Sequence, residues 1–269
     1  MNKNELAAKF TSDEDEKLLL CRVMDKYNAM RNGGYMTSTG FLSDRVSILA
    51  DRLLRHIGAT EKEYFFDGGY EGASRKILVF VPDYMTADDC KTAENSPLRF
   101  VRVSYYKEYA LTHRDFLGSL LGDGVTREVI GDILVNDGEK TTDIVVVDNI
   151  LSYMLHSFFT VGRAKIDCNE IERAELFAPE QKTETVKDTV ASLRLDGIIS
   201  AALGMSRDKA SQAVSRGLVE LNHFPCNKGE KLLSEGDAVT VRGFGKFVLS
   251  TVGNLSKKGR IFVEIKRFV

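Results

Sequence analysis

The 269-residue sequence has no tryptophan, only four prolines, and four cysteines and four histidines scattered along its length. Cys21, Cys90, Cys168 and Cys226 form no Cys-x-x-Cys pair, and no His-Glu-x-x-His occurs. That spacing argues against a disulfide framework or a zinc site and points to reduced, mostly buried thiols in a cytoplasmic protein. No apolar run approaches the roughly 18–20 residues that cross a bilayer, so no membrane association is expected. The first twenty residues lack the basic-then-apolar order and small-residue cleavage site of a signal peptide. The stretch 242–247, "RGFGKF", contains Gly-x-Gly but no third glycine and no following helix, so it fails as a dinucleotide loop. No cofactor, metal or small-molecule substrate is expected.

What is present is an uneven distribution of charge. The whole chain carries a formal −2, yet residues 186–269 hold 14 Lys and Arg against 8 Asp and Glu, a net of +6. Residues 1–185 hold 23 basic and 31 acidic side chains, a net of −8. Positive charge concentrated at one end of an acidic chain suits a polyanion, because basic side chains displace counterions condensed on phosphates.

Texture divides the chain into three segments that together predict an α+β protein. Residues 1–65 read as a helical domain: Leu18, Cys21, Met24 and Tyr27 recur at helical spacing, and Ser12 or Asp13 supplies an N-cap. Gly33-Gly34 breaks that helix, and the period resumes over 41–58. Residues 66–180 read as β-β-α-β-β-α-β, with strands over 76–82, 98–105, 131–137, 141–148 and 162–171 and helices over 113–124 and 149–159. Residues 178–188 are polar and read as a linker into the last domain, 181–269. There, 190–204 reads as one helix and 206–217 as a second, capped by Ser206 and stopped by Gly217. Alternating segments after it predict a small antiparallel sheet, with Gly259 at a hairpin turn.

The second of these helices carries the most information. At 100° per residue Ala210, Ala213 and Val214 share a buried stripe, Arg207, Ser211 and Ser215 lie along one flank, and Lys209, Gln212 and Arg216 lie toward the other. Small hydroxyls beside arginine allow a phosphate to approach closely, and the helix N-terminus adds backbone donors and a favourable dipole. Phe244 and Phe247 are candidates for base stacking, with Phe247 expected to be buried.

Several fixed offsets here resemble the RNA-binding domain named after ribosomal protein S-four: Arg194-Leu195-Asp196, Ser206-Arg207, Ala210, Gly217-Leu218-Val219 and Gly236-Asp237. The family's Val-Asn-Gly after the second helix is Leu221-Asn222-His223 here, so the turn differs. The resemblance implies that the two helices and the following loop bind structured RNA through phosphates and shape. With the helix face, it gives Arg194, Arg207, Lys209, Ser211, Gln212, Arg216, Asn222, Lys228, Arg242 and Lys246 as candidate RNA-binding residues.

Upstream, "TGFLSDR", "FDGGYEGASRKILVFVP", "HRDFLGSLLGDGVTREVIGDILV" and "VGRAKI" resemble bacterial YlmH-type proteins, extending the likeness over nearly the whole chain. That resemblance implies a helical first domain, an RRM-like centre and a C-terminal module of the S-four type. It also implies binding to the large ribosomal subunit or to tRNA on it in rescue of stalled nascent chains, with a link to cell division. The family's Phe-Leu-Asp-Pro-Arg-Glu is Phe41-Leu42-Ser43-Asp44-Arg45-Val46 here, without the Pro and Glu. His113, Arg114 and Arg127 are candidate RNA or partner contacts, although an Asp such as Asp115 in a first helical turn is usually a cap.

Pseudouridine synthases and ribosomal-RNA methyltransferases place the S-four module ahead of a catalytic domain, whereas here it comes last. "HIGA" (56–59) faintly resembles a tyrosyl-tRNA synthetase signature, but no long α/β domain surrounds it. A non-catalytic RNA-binding factor is the expected function. An RNA-modifying enzyme and a division-site adaptor are the alternatives.

Overall fold

Two capping arrangements set the first helices of the structure, a computed structural model that describes residues 2–178 and 182–268. Asn2 and Glu5 close a capping box on α1 (Lys3–Ala7), and the Asp13 carboxylate accepts from the Glu16 amide to start α2 (Glu14–Gly33). Gly34, at φ 66°, takes the left-handed conformation that ends it. The buried stripe of α2 runs through Leu20, Cys21, Val23, Met24, Tyr27 and Met30; Leu18, expected on it, is exposed. After β1 (Thr37–Ser38), Ser43 caps α3 (Asp44–His56), and β2 (Tyr64–Asp67) and β3 (Ile77–Phe80) follow.

Contacts divide the chain into two units, Met1–Pro179 and Glu180–Val269. In the first, β4 (Leu98–Tyr105), α4 (His113–Gly122), β5 (Ile130–Asn136), β6 (Thr141–Val147), α5 (Leu151–His156), β7 (Thr160–Val161) and β8 (Ala164–Ile171) build an antiparallel sheet of order β5-β6-β4-β8-β7. The succession β4-α4-β5-β6-α5-β8, with β4 and β6 central, is the RRM-like βαββαβ arrangement. One face buries Val101, Val103, Ile144 and Val146 against Phe116 and Leu120 of α4 and Met154 of α5.

The strand expected at 76–82 does not join this sheet. As β3 it lies between β1 and β2 in a separate three-stranded sheet. All four of its residues are buried, because it is covered on both sides. Ile77 and Val79 join the cluster containing Phe100 and Val145 of the RRM-like sheet, while the Phe80 ring lies 5.7 Å from that of Tyr27 on α2. The first region, expected to be helical, therefore also contributes a sheet layer.

In the second unit, Thr183–Val190 is strand β9, paired in full register with the last strand of the chain. The expected linker is thus largely an edge strand; positions 179–181 fall outside the described residues. The first helix begins only at Leu195, since Val190 still belongs to β9: α6 is Leu195–Leu203 and α7 is Arg207–Ser215. Strands β10 (Val219–Leu221), β11 (Phe224–Pro225), β12 (Ala238–Val241), β13 (Gly245–Leu255) and β14 (Ile261–Phe268) complete a six-stranded sheet of order β11-β10-β12-β13-β14-β9. Ile198, Ile199 and Ala202 of α6 and Ala210, Ala213 and Val214 of α7 pack with Val239, Val241, Phe247, Leu249, Val263 and Ile265.

The β10–β11 turn explains the departure at 221–223. Leu221 pairs with Phe224, and both residues between them have positive φ, Asn222 at 50° and His223 at 68°, as a type I′ turn requires. Asparagine tolerates this conformation, whereas histidine in the place of glycine is strained. His223→Gly should raise the stability of this unit by about 0.5–1 kcal/mol, read as a higher urea midpoint at unchanged slope. A lower midpoint would mean that contacts of the imidazole outweigh the strain.

Candidate RNA interface

Helix α7 exists because Ser206 caps it, accepting from the Lys209 amide at 3.3 Å, and because its alanine and valine stripe is buried beside α6. The same geometry leaves Arg207, Lys209, Ser211, Gln212, Ser215 and Arg216 exposed on its outer side. A cationic row with hydroxyls is thereby presented on a rigid element.

The structure gathers further candidates at the two ends of α7. Asp196, only 7 % exposed, accepts from Arg194 at 2.7 and 3.2 Å, and one of its oxygens lies 3.8 Å from the Arg207 guanidinium. The Arg194 hydrogen bonds hold the Asp196 carboxyl below its ordinary range, against the opposing effect of burial. Arg194 is thus engaged within the protein, while Arg207 retains most of its exposure. Backbone bonds from Leu195 to the Lys231 carbonyl and from Asp196 to the Gly229 carbonyl bring the loop carrying Lys228 to the start of α6. At the other end, the Arg242 amide donates to the Leu218 carbonyl, which places the β12–β13 turn, with exposed Arg242 and Phe244, just beyond Arg216.

Other candidates lie elsewhere. The Asn222 amide group donates to Asp237 and its oxygen accepts from the Ala238 amide, so this side chain secures a turn. Phe247 is buried among the helices, and strand alternation therefore turns Lys246 to the opposite face, where its ammonium sits 5.5 Å from the Phe268 ring centre. His113 and Arg114 are exposed at the start of α4, in the first unit, where Asp115 accepts from the Thr112 amide and hydroxyl. Those two bonds hold the Asp115 carboxyl low, as befits a cap. Arg127 is exposed, and its carbonyl accepts from Arg75.

Lys257, Lys258 and Arg260, at the tip of the β13–β14 hairpin, were not among the expected contacts. Their signal in the sequence is three cations within four residues with no acid between them. The Arg260 guanidinium donates to the Thr189 carbonyl and hydroxyl, and with Arg207 it lines a cleft of about 360 Å³ floored by Gly197, Ser200, Ala201 and Gly204.

An α+β chain with this exposed cationic helix face has the character of a polyanion-binding protein. Residues 92–175, which contain the RRM-like sheet, match a family described as the putative RNA-binding domain in YlmH. Over 255 residues the chain is 27% identical to the Ribosome-associated protein quality control protein P2 of Bacillus subtilis, covering 94% of this chain and 96% of the relative. A solved structure described as the cell division protein ylmH from Streptococcus pneumoniae shares the fold at TM-score 0.50 and 18% identity, covering 62% of this chain and 98% of that one. In sequence and in fold the chain is therefore similar to YlmH-type proteins.

The matched domain departs from RRM practice in one respect. An RRM stacks bases on aromatic residues of its sheet face. Here that face is covered by the three-stranded sheet: Phe100 is 5 % exposed and packs with Phe41, Ile77 and Val79. Beside it, Arg102 is held by Asp143 through bonds of 2.7 and 2.8 Å. The centre of the sheet serves as core and offers no stacking platform.

Proposed function

We propose that this protein is a non-catalytic, cytoplasmic RNA-binding factor. Its partner is structured RNA of the large ribosomal subunit, tRNA bound there, or both, and its role is in the rescue of stalled ribosomes. The observation that carries this reading is the exposed row Arg207, Lys209, Gln212 and Arg216 on the rigidly capped α7. The name of the Bacillus subtilis relative supports a ribosomal setting. Asp115, two residues along the chain from His113, is committed to capping α4, which favours binding over catalysis.

A surface of this kind binds chiefly through phosphates. About five neutralised phosphates give a slope of about −3.5 to −4.5 in a plot of log affinity for tRNA or ribosomal RNA against log salt. A slope near zero would refute the reading. Incubation with RNA and a labelled methyl donor separates it from the enzymatic alternative: product that disappeared on changing a single acidic residue would identify an enzyme.

A further inference from the structure

The six-stranded sheet of the second unit has its helices on one face only. Val263, Ile265, Phe247 and Leu249 point into that core. Alternation and strand register turn Lys246 of β13, Phe262, Glu264, Lys266 and Phe268 of β14, and Thr185, Lys187 and Thr189 of β9 to the other face. Phe262 is 50 % exposed there, a large aromatic ring left in water in the middle of a sheet. Gly253 lies beside it, where a Cβ would come within 3.2 Å of the Phe262 Cβ, so no side chain crowds that flank.

Among the side chains that β9, β13 and β14 place on this face, the charges left after internal pairs are removed are all positive; the Glu235 carboxylate, from outside these strands, accepts from the Val252 amide of β13. Glu264 is the only acid of β13 and β14, and it is paired with Lys187 at 2.7 Å. Lys246 rests over Phe268, Lys266 is exposed, and Lys257 and Lys258 extend the same ribbon at its tip beside the exposed Leu255. Glu220, on β10, is two strands away from β13. Aromatic rings interleaved with lysines on an open sheet suit single-stranded nucleic acid, whose bases stack while its phosphates meet the cations. A duplex hides its bases and cannot use the rings.

We propose that this face is a second RNA-binding surface, specific for unpaired RNA, with Phe262 and Phe268 as stacking rings and Lys246, Lys266 and the hairpin lysines as phosphate contacts. It rests on the RNA-binding reading above and adds to it a face opposite the helices. With both surfaces, the protein would grip a folded element and an adjoining single strand at once.

The test uses the full chain and two probes in fluorescence anisotropy, a short uridine oligomer and a folded tRNA. Phe262→Ser, at an exposed position, should weaken oligomer binding about tenfold or more and leave tRNA binding within twofold. Lys266→Glu should act in the same direction, and it keeps the test decisive if the serine variant unfolds. Arg207→Glu with Arg216→Glu should show the reverse pattern. If the wild-type chain binds tRNA but not the oligomer, or if both sheet variants bind the oligomer normally, the second surface is refuted and the first stands. If neither probe binds, the RNA-binding reading itself fails.

Discussion

Reversing Arg207 and Arg216 to Glu should lower affinity for ribosomal particles by at least about a hundredfold at low salt and reduce the salt slope by about two. Each reversal removes a phosphate contact and installs a repulsive charge in its place, so the loss exceeds that of simple truncation. The fold should survive. Arg216 is exposed, and Arg207 gives up only a 3.8 Å ion pair that is 59% exposed on its side, an interaction worth about 0–1 kcal/mol. Arg194 keeps its two bonds to Asp196, and a glutamate at position 207 suits the first turn of a helix. Co-sedimentation with large subunits at moderate salt is the readout. A double variant that still pelleted with them would place the interface elsewhere.

Arg173→Ala should destabilise the first unit by about 3 kcal/mol. Asp67 is 6 % exposed and accepts from Arg173 at 2.9 and 2.7 Å, with one further bond from the Gly69 amide. Removing the guanidinium leaves a nearly buried carboxylate without its cation, for which losses of about 3–5 kcal/mol are typical. The lower end applies because the Arg173 side chain is 29% exposed. The same guanidinium lies 5.2 Å from the Phe100 ring centre, so the change also loosens the packing that covers the RRM-like sheet face. Arg173→Lys should recover only part of the loss, since an ammonium cannot make the paired contact. Urea unfolding measures both variants; a loss below about 1 kcal/mol for alanine would show that water already compensates Asp67.

The helix boundaries were legible in the sequence wherever a single side chain decides them. Asp13 and Ser206 cap, and Gly34 and Gly204 adopt positive φ, because those residue types do so irrespective of the surrounding fold. Strand partners were not legible in the same way. Ile77–Phe80 is apolar at every position, so its composition fits either sheet of the first unit, and burial on both sides decides the matter. Strand β9 reads as a polar linker because an edge strand needs few apolar residues: Val186 and Val190 face the core, while Glu184 and Lys187 find partners in Arg267 and Glu264 on β14.

The candidate interface shows the same division. The outer row of α7 follows from helical period alone, and the structure keeps it together. Arg194 and Asn222 look like free polar groups in the sequence, yet Asp196 and Asp237 engage them, and such partnerships depend on how the loops close. The position of Lys246 was recoverable, since a buried Phe247 turns its neighbour to the opposite face. The second unit therefore carries cations on two surfaces, and only one of them is the helix face.

The central claim is that the outer face of α7 lies against RNA on the ribosome. A photoreactive residue placed at Gln212, midway along that face, tests it most directly in cells during translation stalling. The account predicts crosslinks to large-subunit ribosomal RNA or to tRNA, lost when Arg207 and Arg216 are reversed. Crosslinks confined to protein, or unchanged by the reversal, would contradict it.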